Sequence, residues 1–410
     1  MTAGSKQAEP LAGSGARLVL PGLSMIAVTY GLARFSYGLF LPQFRTAFEL
    51  NATLLGLIAG GSYAGYCVAI MLSSALSPRL GPRSVVVLAG VVAAAGMCLV
   101  AAASGGAALA AGVLIAGMST GLASPPMGDT VRRRIVEQRQ GPANTWINSG
   151  TSLGVLVSGP VVLLAGADWR VAWLAFAAAA LLVTGWCALT LPGRASADRP
   201  SAPPRERLSP LRWFTRRSAP LLAAAAAMGL VSSVYWTFSR DLIVHAGFSP
   251  TASTGFWMVI GVAGFAGGLA GRFVQHRGLT FALRTSLVGF GTAIAVLSLA
   301  PGTAAVVFTS AAVFGALYIM LTGIFLVWSV AVFDQRPSLG IALSFATIAV
   351  GQLIGSALAG ATATLAGTGT AFWLFAIVCI GSALIRPHRD QTRHFDDLAT
   401  GDEHVRQGPS

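Results

Sequence analysis

The chain has 410 residues, 54% of them hydrophobic and only 10% charged, with a mean hydropathy of +0.71. A soluble fold needs far more polar surface than this. The formal net charge of +13 would suit a nucleic-acid binder, but no polar stretch is long enough to fold as a separate basic domain. The only lysine is Lys6, so a nucleotide-binding loop ending in Gly-Lys is excluded.

A bilayer core about 30 Å thick is crossed by roughly 20 residues of helix. The first 16 residues are polar, and the apolar run behind them is too long for a signal-peptide core, so it reads as a retained first helix. Spans of crossing length follow at 18–42, 52–77, 83–104, 107–131, 142–166 and 170–191. A second set follows at 219–243, 252–274, 281–300, 303–332, 338–363 and 369–386. Runs such as Val85 to Val100 lack period-two alternation, which selects helices over a barrel. The expected fold is therefore an all-α integral membrane protein, with twelve transmembrane helices in two pseudo-symmetric six-helix bundles. Its parts are a tail at 1–17, a bundle at 18–191, a basic linker at 192–218, a second bundle at 219–386 and a tail at 387–410. The linker is rich in Arg and Pro and reads as a flexible connector that can touch anionic lipid. The tail from Pro387 reads as disordered.

Arginine position orients the chain. With the N-terminus inside, the cytoplasmic loops and tails hold Arg79, Arg83, Arg132 to Arg134, Arg139, the linker arginines, Arg272, Arg277, Arg284 and Arg336. The opposite face keeps Arg45, Arg170 and Arg240. This is the positive-inside pattern, so both termini are expected in the cytoplasm and the protein in the cell (plasma) membrane. Cys67, Cys98, Cys187 and Cys379 all lie within predicted helices at unrelated spacings, so neither disulfides nor a metal site is expected, and no cofactor.

The halves repeat weakly. Phe48 to Thr53 before helix two matches Phe248 to Ser253 before helix eight, and Ser74 to Gly81 matches Gly271 to Gly278. Asp129 with its following arginines matches Asp334 and Arg336, and Pro142 and Pro337 then open helices five and eleven. This shared order resembles the major facilitator superfamily of secondary transporters across nearly the whole chain. Leu76, Ser77, Arg79, Leu80, Gly81 and Arg83 match its signature loop, while Ser74 replaces a Gly and Pro78 replaces the acidic residue. The resemblance implies a cytoplasmic gate latch at this loop, altered here, with Arg79, Arg83 and Asp129 as gating candidates. Asp129 pairs with one of those arginines or lies on a solvated face.

Helix five carries Gly150, Gly154, Gly159 and Pro160, similar to the superfamily's antiporter motif, with Gly159 and Pro160 expected to bend it. Val155 and Leu163-Leu164 depart from the motif. Helix four has Gly117 and Thr120 where proton-coupled drug exporters carry Arg and Gln. The first-helix pattern around Arg34 resembles that of a poorly characterised bacterial branch.

A charge within the membrane is costly, which makes Arg34 the leading candidate for substrate contact. Tyr30 and Tyr37 share its helical face, and the three could hold a carboxylate, a phosphate or a π-face. Asn148, Tyr235, Trp236, Trp257, Tyr318 and Gln352 are further candidates for the cavity lining. Arg240 and Asp241 are candidates for coupling or gating, Asp241 pairing with Arg34 or Arg240 or lying hydrated at the helix end. His245 is expected in the outer loop.

No catalytic set emerges, so no enzyme is expected. The leading expectation is a monomeric, bacterial secondary transporter exporting a small metabolite or drug-like molecule, with protons as the coupling partner. Uptake or exchange of an organic anion bound by Arg34 is the alternative, and a membrane sensor or scaffold without transport is a third. Partners are the small-molecule substrate and the lipid bilayer, with no nucleic acid.

Overall fold

A computed structural model describes residues 16–166, 168–193, 215–334, 336–388 and 391. Most of the linker, the N-terminal residues and most of the C-terminal tail therefore lie outside the described residues. Among the described residues, eleven helices are long and apolar enough to cross a membrane. In chain order they are α1 Leu18–Leu39, α2 Ala52–Leu80, α3 Pro82–Ala101, α4 Gly106–Arg134, α5 Arg139–Ala165, α6 Trp169–Thr190, α7 Ala219–His245, α8 Pro250–Arg277, α9 Leu279–Leu299, α10 Ala304–Val332 and α11 Leu339–Ala366. The shorter apolar helix Thr368–Ser382 is α12.

The packing repeats with the sequence. In the first half α2 lies on α4, α3 on α4 and α6, and α1 on α5. In the second half the equivalent pairs are α8 on α10, α9 on α10 and α12, and α7 on α11. Between halves, α2 meets α11, α5 meets α8, and α1 meets α7. Exchanging the halves turns the first of these contacts into the second and leaves the third unchanged. A pseudo-two-fold axis therefore runs through the α1–α7 contact.

Small residues set the close approaches. On α5, a Cβ at Gly154 would strike the Ala27 carbonyl and sit 2.8 Å from the Gly31 Cα. These glycines let the α1 and α5 backbones touch. The α5 helix is interrupted at Ser149 and then runs on through Gly159 and Pro160. Gly159 instead makes room for the Met258 side chain of α8.

Among the described residues, α1 and α8 also change helix type. Residues Ala27–Phe35 of α1 form a π-helix, and the chain breaks again at Phe40 (φ −100°, ψ 5°) before a short helix, Leu41–Phe48. Residues Phe265–Leu269 of α8 form a 3-10 segment. The π turns of α1 are wider than α turns and the 3-10 turn of α8 is tighter, and both kinds of irregularity recur at functional positions.

Of the tail expected to be disordered from Pro387, the described residues His388 and Gln391 instead make specific contacts. Gln391 is buried and bridges two groups, accepting from Trp328 Nε1 at 2.8 Å and donating to the Arg217 carbonyl at 2.8 Å. His388 Nε2 lies 2.9 Å from the Arg216 carbonyl. A buried indole N–H needs an acceptor, and the amide supplies it.

Candidate functional site

Arg34 leaves the last turn of the π-helix and is only 6% exposed. Aromatic rings surround its guanidinium carbon, with centroids at 4.6 Å for Tyr63, 4.8 Å for Tyr66, 5.4 Å for Phe35 and 5.5 Å for Tyr30. Nη2 donates to Gln352 Oε1 at 2.6 Å, while Nε has no hydrogen-bond partner. Among the described residues no carboxylate forms an ion pair with it. π-faces offset part of the cost of burying a cation, and a neutral amide offsets a little more.

Gln352 carries this node into the second half. It is fully buried on α11, and its Nε2 donates at 3.3 Å to both Ser232 Oγ on α7 and Tyr318 OH on α10. Tyr30 OH and Ser124 Oγ are 2.8 Å apart, which ties the α1 side of the node to α4. Beside the node, Trp236 stacks on Phe35 at 4.1 Å, and Tyr318 meets Phe35 edge-on at 6.0 Å. Trp257 meets Trp236 edge-on at 5.6 Å. A pocket lined by Arg34, Tyr37, Gly38, Tyr63 and Trp236 has room for about one water molecule.

Of the residues singled out in the sequence, the structure gathers Arg34, Tyr30, Gln352, Tyr318, Trp236 and Trp257 into one cluster. It places three elsewhere. Tyr37 lines the pocket but does not stack on Arg34; its OH donates to the Leu55 carbonyl at 2.9 Å and its ring stacks on Phe44. Tyr37 lies beyond the π-helix, in the α segment Ser36–Leu39, where its ring is turned toward Phe44. Tyr235 points into the second bundle, its OH 2.8 Å from Ser310 Oγ and its ring 3.7 Å from Phe314. Asn148 is exposed beside the α5 interruption. Sequence reading missed Tyr63 and Tyr66, which replace Tyr37 around the guanidinium. Their three-residue spacing on α2 was the available signal.

A second polar cluster closes one end of the α1–α7 contact, called here the Asp241 end. Asp241, 2% exposed, accepts from Arg45 Nε at 3.1 Å and from Nη2 at 2.7 Å, a bidentate pair between the halves. Arg240, equally buried, donates to the Leu39 carbonyl at the break in α1 and to Gln43 Oε1 at 3.1 Å. It also reaches Ser253 Oγ at 3.2 Å and Thr254 Oγ1 at 3.5 Å on α8. The expected pairing of Asp241 with Arg34 or Arg240, or its hydration, is thus corrected: its bidentate partner is Arg45, with His245 Nδ1 3.6 Å from Oδ1. Successive helical residues point about 100° apart, so Arg240 and Asp241 serve different neighbours. His245, exposed in the last turn of α7 rather than in a loop, holds Nδ1 2.7 Å from the Asp241 carbonyl.

The other end carries the signature loop. Arg79 is exposed and Arg83 half-buried. Asp129 pairs with Arg132 at 2.6 Å on its own helix, both side chains partly exposed. Such surface pairs contribute little.

Comparisons with known proteins agree with this architecture. The profile of the Major Facilitator Superfamily matches residues 23–340. Monocarboxylate transporter 11 of Homo sapiens is 33% identical over 260 residues, which are 62% of this chain and 54% of that protein. The match thus spans about half the length of that relative. Monocarboxylate transporter 13 of Rattus norvegicus is 26% identical over 92% of this chain and 90% of its own. The Hexuronate transporter of Bacillus subtilis is 26% identical over 86% and 89%. A crystal structure of the nucleoside transporter NupG superposes with a TM-score of 0.74 at 13% identity, covering 93% of this chain and 99% of that one, a likeness of fold alone. The chain therefore belongs to the Major Facilitator Superfamily and is a multi-pass membrane protein and secondary transporter of a small molecule, not an enzyme.

Proposed function

We propose that the protein carries a small organic carboxylate across the membrane by alternating access, with Arg34 as the anchoring cation. The observation that supports this most is a buried guanidinium at the contact between the halves, ringed by aromatic side chains and matched with no carboxylate among the described residues. A cation so placed favours an anionic ligand in a low-dielectric site. Relatives named monocarboxylate and hexuronate transporters support the same class. This ranks the anion reading above export of a drug-like molecule, which rests on the partial helix-five motif.

Arginine distribution supports a cytoplasmic placement of both termini in the plasma membrane, and hence an external position for the Asp241 end. Closure there is assigned to Arg45, Asp241 and Arg240. Asp241 is also the buried carboxylate available for proton coupling, since the other buried charged residues described are Arg34 and Arg240. Release of Asp241 from Arg45 would admit protons from outside while the substrate path opens, which favours inward symport or exchange over efflux.

Counterflow of labelled lactate and of glucuronate into proteoliposomes tests the reading. We expect Arg34→Ala to reduce carboxylate flux by about a hundredfold while the protein stays folded. Proton-driven extrusion unchanged by Arg34→Ala would overturn it in favour of efflux.

A further inference from the structure

Two arginines bridge the halves through the same donor edge, and the two edges are filled differently. Arg45 gives both Nε and Nη2 to the two oxygens of Asp241. Arg34 gives Nη2 to the single oxygen of Gln352, and its Nε has no partner although the side chain is 94% buried, that is 6% exposed. A planar guanidinium edge matches a carboxylate, which has two acceptor oxygens, whereas an amide has one. A buried donor without an acceptor is costly and points to a ligand that satisfies it.

We propose that the substrate carboxylate takes the Nε and Nη2 edge of Arg34 and displaces Gln352 Oε1, which stands in for one of its oxygens. This rests on the anion reading above and names the carboxylate edge and the residue that yields it. Gln352 is then a positioning residue and an internal competitor, not a substrate ligand. Its displacement matters beyond affinity. The amide is the tie from α1 to Ser232 and Tyr318, so substrate that replaces it exchanges a contact between the halves for a contact with itself. A ligand that binds differently to two arrangements shifts their balance, and this exchange supplies the difference.

Gln352→Glu and Gln352→Leu in the full-length protein separate the possibilities. Glu keeps the shape of Gln and adds the second oxygen. We expect Gln352→Glu to raise the melting temperature without added solute, an effect that vanishes in an Arg34→Ala background. The same variant should weaken lactate and glucuronate binding by at least about tenfold. Gln352→Leu removes the competitor, so binding should hold or tighten. Binding retained in Gln352→Glu, or lost in a folded Gln352→Leu, would overturn the displacement idea and make Gln352 a direct ligand or a bystander. Absence of Arg34-dependent binding of either probe to the unmodified protein would instead sink the anion reading itself. The Arg34-dependent melting shift of Gln352→Glu reports on the half-filled edge without any ligand.

Discussion

The Asp241 end and the Arg34 node join the same two halves, yet one is saturated and the other is not. At the Asp241 end, Arg45 and Asp241 satisfy each other bidentately, and Arg240 makes bonds to Leu39, Gln43, Ser253 and Thr254. At the node, a cation buried much as Arg240 is faces four rings and one amide oxygen. A saturated contact suits a closure that must hold, because breaking a buried pair leaves an uncompensated charge. An unsaturated contact suits a place that exchanges partners.

The sharpest way to break this contrast is to make the Asp241 end resemble the node. Asp241→Asn replaces two anionic oxygens with one neutral one. It should weaken closure by about 1–3 kcal/mol, raise the labelling rate of a cysteine introduced at Ala59 in the pocket by thiol reagents, and flatten the pH dependence of transport. Labelling and pH dependence unchanged from the parent would show that the pair neither closes the path nor couples protons. Gly38→Ala acts on the same closure without charge. An added Cβ would strike the Trp236 carbonyl and lie 3.1 Å from the Trp257 ring, so the α1–α7 contact must shift, at a cost of roughly 1–3 kcal/mol. Labelling of the same cysteine should rise, with less loss of pH dependence than Asp241→Asn causes. The smallest effect is expected from Asp129→Asn at the opposite end. That pair is partly exposed and lies within one helix, so melting should change by no more than about 0.5 kcal/mol equivalent. A large loss of transport there would show that the altered signature loop still depends on Asp129.

Much of the fold was legible because a membrane imposes it. Apolar length marked all twelve helices to within a few residues, the repeated loop patterns matched the repeated packing pairs, and Arg34 stood out because a charge inside an apolar helix has few explanations. Its surroundings were less legible. Tyr63 and Tyr66 have no feature in sequence that tells which helix they face, and Tyr37 turns to stack on Phe44 although regular spacing assigned it to the Arg34 face. Arg45 was read as one of a few residual charges on its side, with nothing local to mark it as the partner of Asp241, 196 residues away.

The amino-acid sequence by itself determined the class of the protein, the number and length of its helices, the two-fold repeat and Arg34 as a charge that a bilayer makes expensive. These are properties of single segments, written in hydropathy and spacing. Tertiary structure alone decided which donors and acceptors meet: Arg34 with Gln352, Arg45 with Asp241, Arg240 with the broken end of α1. Such pairings depend on the crossing of helices from different halves and on side-chain direction within irregular turns, and neither is encoded in the periodicity of one helix.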